Sequence, residues 1–192
     1  AVPHLLERYH EVEPQVQAED PDRTYRTVLT LTLERLAEGE GLPLPEGESD
    51  ALARSLSSWT PFPEVPGALA EARARGWKLA ILSNTDRDFI GASLDAIGVP
   101  VDERIVASEI GSYKPAFGHW ETFFTRTGAD RRRHVHVAAS LFHDVQPCAA
   151  LGLPCVWINR EAETSDLPRA GELSDLRALA ETLEELVPAG DG

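Results

Sequence analysis

Residues 77–88, Trp-Lys-Leu-Ala-Ile-Leu-Ser-Asn-Thr-Asp-Arg-Asp, constrain this chain more than any other stretch. Residues 79–82 are apolar without alternation, Gly76 stands in front, and Ser83, Asn84, Thr85 and Asp86 follow without a spacer. So short and apolar a run is predicted to be a strand buried on both faces, as in parallel sheets. Thr85 or Asp86 is then placed to cap a helix that reaches about Ile97 and stops at Gly98. Small polar groups thus sit at the carboxyl end of a strand, the edge where open α/β sheets bind ligands. Turn and cap duty alone also accounts for Ser83 and Asn84, so the rest of the chain has to decide.

Downstream the pattern alternates. Strands are predicted over 104–107, 134–138 and 155–158, and helices over 116–127 and 144–151, closed by Gly128 and Gly152. Pro66 suits the first turn of a helix that Gly76 ends. Ser174 is placed to cap a last helix with Leu176, Leu179, Leu183 and Leu186 on its buried side. Strands alternating with helices imply right-handed βαβ units and a parallel sheet. Upstream, residues 1–60 are predicted to be helical. Leu5, Leu6, Tyr9, Val12 and Val16 follow helical spacing, although Pro14 is expected to break or kink that helix. Residues 25–37 place Val28, Leu29, Leu33 and Leu36 on one helical face, while their Val-Leu-Thr-Leu-Thr-Leu core would also suit a strand. Ser49 can cap a third helix over about 50–58. Residues 59–66 carry three prolines and read as a stiff joint. The expected organisation is a helical module over 1–60 and a Rossmann-like α/β core over 61–192, a parallel sheet with helices on both faces.

Composition narrows the function classes. A chain of 192 residues suits one domain with a small insert. Its 18 basic against 32 acidic residues, net −14, argue against nucleic acid and anionic membrane as partners. No run of about 18 apolar residues occurs. Cys148 and Cys155 make no disulfide framework and read as core, and the polar start does not resemble a signal peptide, so a reducing cytoplasm is expected. His134 and His136 share a strand face without a third metal ligand nearby.

Three predicted strand ends carry polar groups: Ser83 with Asn84, then Gly111-Ser-Tyr-Lys114-Pro115, then Ser140-Leu-Phe-His143-Asp144. A parallel sheet brings all three to one edge. Lys114, held out of helix by Pro115, can point back over that edge, where its charge would stabilise a carboxylate nucleophile and the charge developing on a substrate. Asp144 can hold that lysine or orient a water. Singly, a Lys-Pro turn and an Asp cap are ordinary; three polar strand ends in succession are not. Lys114 lies in a loop, so its replacement is expected to spare the fold.

These segments resemble the haloacid dehalogenase superfamily of hydrolases, in particular its 2-haloacid dehalogenase-like branch. Ser83 and Asn84 resemble the family motif that contacts the charged group of the substrate, Lys114-Pro115 the motif whose lysine pairs with the nucleophile, and residues 140–144 the fourth motif. The resemblance implies a helical cap over 1–60, catalytic roles for Lys114, Asp144 and Ser140, and substrate contact by Ser83, Asn84 and Trp120, which stands where the branch often has a tyrosine. It implies a small anionic substrate, an aspartyl-ester intermediate and no cofactor, since Ala139 stands where the phosphatases of the superfamily place a magnesium-ligating Asp. A homodimer is compatible with it. The cap arginine that would bind a carboxylate is unassigned, with Arg8, Arg23 and Arg26 as candidates or as solvated helix faces. Two rivals stay open: a magnesium-dependent phosphatase of the same superfamily, and an inactive binding or structural module.

The second rival has force because no Asp-x-(Asp/Tyr)-Gly-Thr motif, the nucleophile-bearing signature of the superfamily, occurs in the sequence. Together with the absence of methionine, this leads to the expectation that an N-terminal segment of about 15–30 residues, one strand and a connection, is missing. In the superfamily that strand lies between those at 78–82 and 134–138. Direct pairing of these two would instead mean a closed sheet.

Overall fold

The computed structural model describes residues 2–188. Helices α1 (Val2–Glu19) and α2 (Tyr25–Gly39) form the first layer, followed by α3 (Ala51–Ser55), which tightens into a 3₁₀ turn at Leu56–Ser58. Helix α2 settles the helix-or-strand ambiguity: Thr24 Oγ1 accepts from the Thr27 N–H and starts it, and Val28, Leu29 and Thr32 are buried along one face. The expected break at Pro14 does not occur, for α1 runs through it. A proline inside a helix costs about 3 kcal/mol. Here Val12 and Val16, packed with Val28, Ala107 and Tyr113 in one cluster, supply the offsetting burial. Asp50, not Ser49, occupies the N-cap position of α3.

The α/β part begins with α4 (Val65–Ala74), with Pro66 in its first turn. It continues with β1 (Ala80–Ser83), α5 (Arg87–Ile97), β2 (Glu103–Val106), the single turn α6 (Ala107–Ile110), α7 (Gly118–Thr127) and β3 (His136–Ala138). A π-helical turn at Leu141–Val145 leads into α8 (Gln146–Leu151), and β4 (Cys155–Ile158), β5 (Gly171–Leu173) and α9 (Leu179–Leu186) complete the order. Gly98, Gly128 and Gly152 end their helices in the left-handed region, at φ of 69°, 63° and 65°, which a glycine reaches without steric cost. The last helix starts at Leu179 rather than near Ser174, because residues 171–173 are drawn into the unforeseen strand β5 beside β4.

All strand pairings are parallel: β1 with β2, β3 with β4, and β4 with β5. The strands form a two-stranded and a three-stranded sheet, and β1 and β3 are not hydrogen-bonded to each other. Leu79, just before β1, and Val137 of β3 both pack against the cluster of Ala72, Leu179 and Leu183. The expectation that residues 79–82 are buried on both faces needs correction. Every residue of β1 is only half-buried, whereas β4, paired on both sides, is buried throughout. A strand with one neighbour keeps the other edge open to solvent.

One carboxylate ties the two layers together. Asp86 stands at the N-cap position of α5 but does not cap it. Its two oxygens accept from the backbone N–H groups of Tyr25 (2.7 Å) and Arg26 (2.9 Å) at the start of α2, so a charge from the sheet edge satisfies another helix's orphan donors.

Candidate active site

Beyond the carboxyl ends of β1 and β3 lies a cleft of about 670 Å³. Ser83, Asn84, Lys114, Ser140, His143 and Asp144 line it from the sheet, and Tyr9, His10, Glu13, Tyr25 and Trp59 from the helical layer. Five of the six residues singled out from the sequence therefore meet in one place. The sixth, Trp120, does not: it is 1% exposed, in the core with Val145, Cys148, Leu153, Cys155 and Trp157. Its ring lies 5.3 Å from that of His136, so it packs behind the cleft and does not line it. The face that α7 turns to the sheet is decided by packing, which the sequence spacing did not disclose.

Lys114 follows the short α6 and precedes a cis peptide to Pro115. Its backbone is clamped by Asn84, whose Nδ2 donates to the Lys114 carbonyl at 2.9 Å and whose Oδ1 accepts from the Lys114 N–H at 2.6 Å. Both amide functions of Asn84 are thereby engaged with the Lys114 backbone. The Lys114 Nζ then donates to the Leu82 carbonyl (2.9 Å) and to Asp144 Oδ1 (2.7 Å). The pair is buried, with side-chain exposures of 10% and 7%. Asp144 also accepts from His136 Nε2 at 2.8 Å. Burial alone would push the Asp144 carboxyl up, but the His136 hydrogen bond and the Lys114 charge outweigh it and hold it at about 2. It is an anion at neutral pH. Lys114 is thus no solvated loop residue, and the expectation that its replacement spares the fold is revised below.

Two histidines complete the floor. His119 on α7 is fully buried and donates from Nε2 to the Ser83 carbonyl at 3.0 Å. Burial pushes its imidazole down to about 4, and Nδ1 of the neutral ring is an acceptor that meets no donor among the described residues. His143 sits 3.0 Å from Ser140 Oγ through Nδ1, with its backbone N–H on the same oxygen at 3.1 Å; burial holds this ring down as well. His119, His136 and Glu13 were not anticipated. Spacing held a partial signal for Glu13: Tyr9, Glu13 and Gln17 recur every four residues on the buried side of α1. The histidine roles depend on contacts between elements far apart in sequence.

The arginine candidates are engaged elsewhere. Arg8 pairs with Glu11 and Glu40, Arg23 with Glu19 and Asp20, and Arg26 with Asp88 while lying over the Phe89 ring. None of them lines the cleft. A magnesium site does not fit the residues present. Ala139 offers no side-chain oxygen, Asp144 Oδ1 already serves Lys114 and His136, and no cluster of three or more His, Cys, Asp or Glu suited to a metal occurs among the described residues. No helix among them is long and apolar enough to cross a membrane.

Parallel α/β strands with a buried lysine–carboxylate pair at their carboxyl edge define a Rossmann-like protein whose cleft lies where such sheets bind ligands. The sequence model of the haloacid dehalogenase-like hydrolases matches residues 3–152, and the chain belongs to that family. It is 31% identical over 150 residues to the (S)-2-haloacid dehalogenase of Pseudomonas sp. strain YL, covering 75% of this chain and 64% of that one. It is 33% identical over 121 residues to the haloacetate dehalogenase H-2 of Moraxella sp. strain B, covering 62% of this chain and 54% of that one. The chain thus spans somewhat more than half the length of these relatives. The fold is also that of the L-2-haloacid dehalogenase from Xanthobacter autotrophicus solved with chloropropionic acid covalently bound, with a TM-score of 0.77, 17% identity, and coverage of 97% of this chain and 87% of that one.

Proposed function

We propose that this chain forms part of a cofactor-free hydrolase that removes halide from a small 2-haloacid. The observation that carries the proposal is the meeting of Lys114, Asp144, Ser83 and Ser140 at the carboxyl edge, beside the open edges of β1 and β3. The likeness to haloacid dehalogenases supports the choice of reaction.

In this reading a further parallel strand, from outside the 192 residues, lies between β1 and β3 and ends in an aspartate. Such a strand supplies partners to the free backbone groups along both edges. The helical segment 1–60 acts as its cap. The carboxylate attacks the halogen-bearing carbon; the carbon–halogen pair leaves as halide and an ester forms. Water then adds to the ester carbonyl, and collapse regenerates the carboxylate and releases the 2-hydroxy acid and a proton. Lys114 stabilises the nucleophile and the charge of the ester step, Asp144 holds Lys114, Asn84 fixes the lysine backbone, and Ser83 and Ser140 offer hydroxyls to the substrate.

The test is halide release from 2-chloropropionate by the full-length protein in the presence of a chelator. Release at enzymatic rates is expected. Phosphate release from small phosphate esters, dependent on added magnesium, would replace this reading with the phosphatase, and no turnover of either would favour a binding module.

A further inference from the structure

The helical wall of the cleft holds one charged group that the proposed reaction does not use. Glu13 lies on α1 one turn after Tyr9 and one turn before Gln17, and it is 6% exposed. Its Oε1 accepts from Gln17 Nε2 at 2.7 Å and from the Tyr25 hydroxyl at 3.1 Å. No lysine or arginine among the described residues pairs with either oxygen. Burial outweighs these donors and the nearby Tyr9 hydroxyl and pushes the Glu13 carboxyl above its usual range.

A buried carboxylate without a counter-charge is costly. Protein cations do not relieve it. Lys114 is committed to Asp144, and the arginines of the helical layer are paired on its outer surface. Tyr9, Tyr25 and Trp59 line the same cleft, and the face of an aromatic ring attracts an ammonium more than it attracts an anion. A wall that joins a carboxyl group without a counter-charge to aromatic rings is suited to a cationic group on a ligand, and unsuited to a second carboxylate.

We propose that Glu13 is the specificity-determining residue of this cleft and that it binds an ammonium group on the substrate, so that the substrate is a small acid also carrying an amine. This deepens the proposed function and rests on the cleft being the substrate site. Lys114 then receives the reacting, anionic end and Glu13 the cationic end.

The test uses two matched pairs with the full-length protein. Propionate and 3-aminopropionate, which cannot react, are compared by titration calorimetry; 2-chloropropionate and 3-amino-2-chloropropionate are compared by halide release. The wild type should favour the aminated member of each pair by tenfold or more in Kd and in kcat/KM. Glu13→Gln, of equal size, should remove that preference. A ratio taken between two ligands on one protein is insensitive to any loss of folded fraction. A wild-type ratio near one, or the same ratio in Glu13→Gln, overturns the assignment. Turnover of 2-chloropropionate without preference would leave the hydrolase reading standing and remove Glu13, whereas a calorimetric preference without turnover would do the reverse.

Discussion

Lys114 is the residue on which chemistry and stability meet. In the full-length protein Lys114→Met should lower turnover more than tenfold, a loss above about 1.4 kcal/mol. The same substitution leaves Asp144 buried with His136 as its remaining partner, and breaking a buried ion pair from one side costs roughly 3–5 kcal/mol. Chemical denaturation should therefore show Lys114→Met clearly destabilised. Asp144→Asn in the same background should recover part of the loss, because no unpaired charge remains. A double-mutant cycle over the two positions should give a coupling of about 1–3 kcal/mol. A coupling near zero would mean that the pair contributes nothing to the fold.

Among the elements, α2 depends on a residue that the sequence assigns to another helix. Asp86 follows β1 at the N-cap position of α5, yet its oxygens reach the first two N–H groups of α2. Removing it strands two donors at a buried junction and takes a negative charge from a helix N-terminus. Asp86→Ala should cost on the order of 2 kcal/mol, read as a lowered denaturation midpoint. Hydrogen exchange should show the loss first in the amides of Tyr25 and Arg26; an effect confined to α5 would return Asp86 to the ordinary cap role.

For the whole molecule the same buried groups set the response to acid. His119 and His134 are both held down to about 4 by burial, against 6.5 for a free imidazole, and His143 is shifted the same way. Between those limits the unfolded chain binds more protons than the folded one. Stability is therefore fully present above about 6.5 and is lost as pH falls toward 4. Asp144, lowered from 3.8 to about 2, contributes above about 3.8, and its share is lost only as pH falls further. The Tm should fall steadily from pH 6.5 to 4. His119→Gln, which does not titrate and keeps a donor for the Ser83 carbonyl, should flatten that slope. An unchanged slope would place the acid sensitivity elsewhere.

Local chemistry was legible in the sequence. The apolar run ending at Leu82, the glycines at 98, 128 and 152, and the strand at Cys155–Ile158 follow from backbone preferences within a few residues. The same holds for the polar strand ends Ser83, Lys114 and Ser140, which parallel topology alone brings to one edge. Tertiary structure decided everything that depends on a second element. It turned Trp120 into the core, carried α1 through Pro14, drew residues 171–173 into β5, and moved Asp86 onto another helix. It also left Glu13 as a buried carboxyl group on the cleft wall. The reason is physical: propensities and caps act over one turn or one strand, whereas burial and charge pairing are set by neighbours that the chain meets only when it closes on itself.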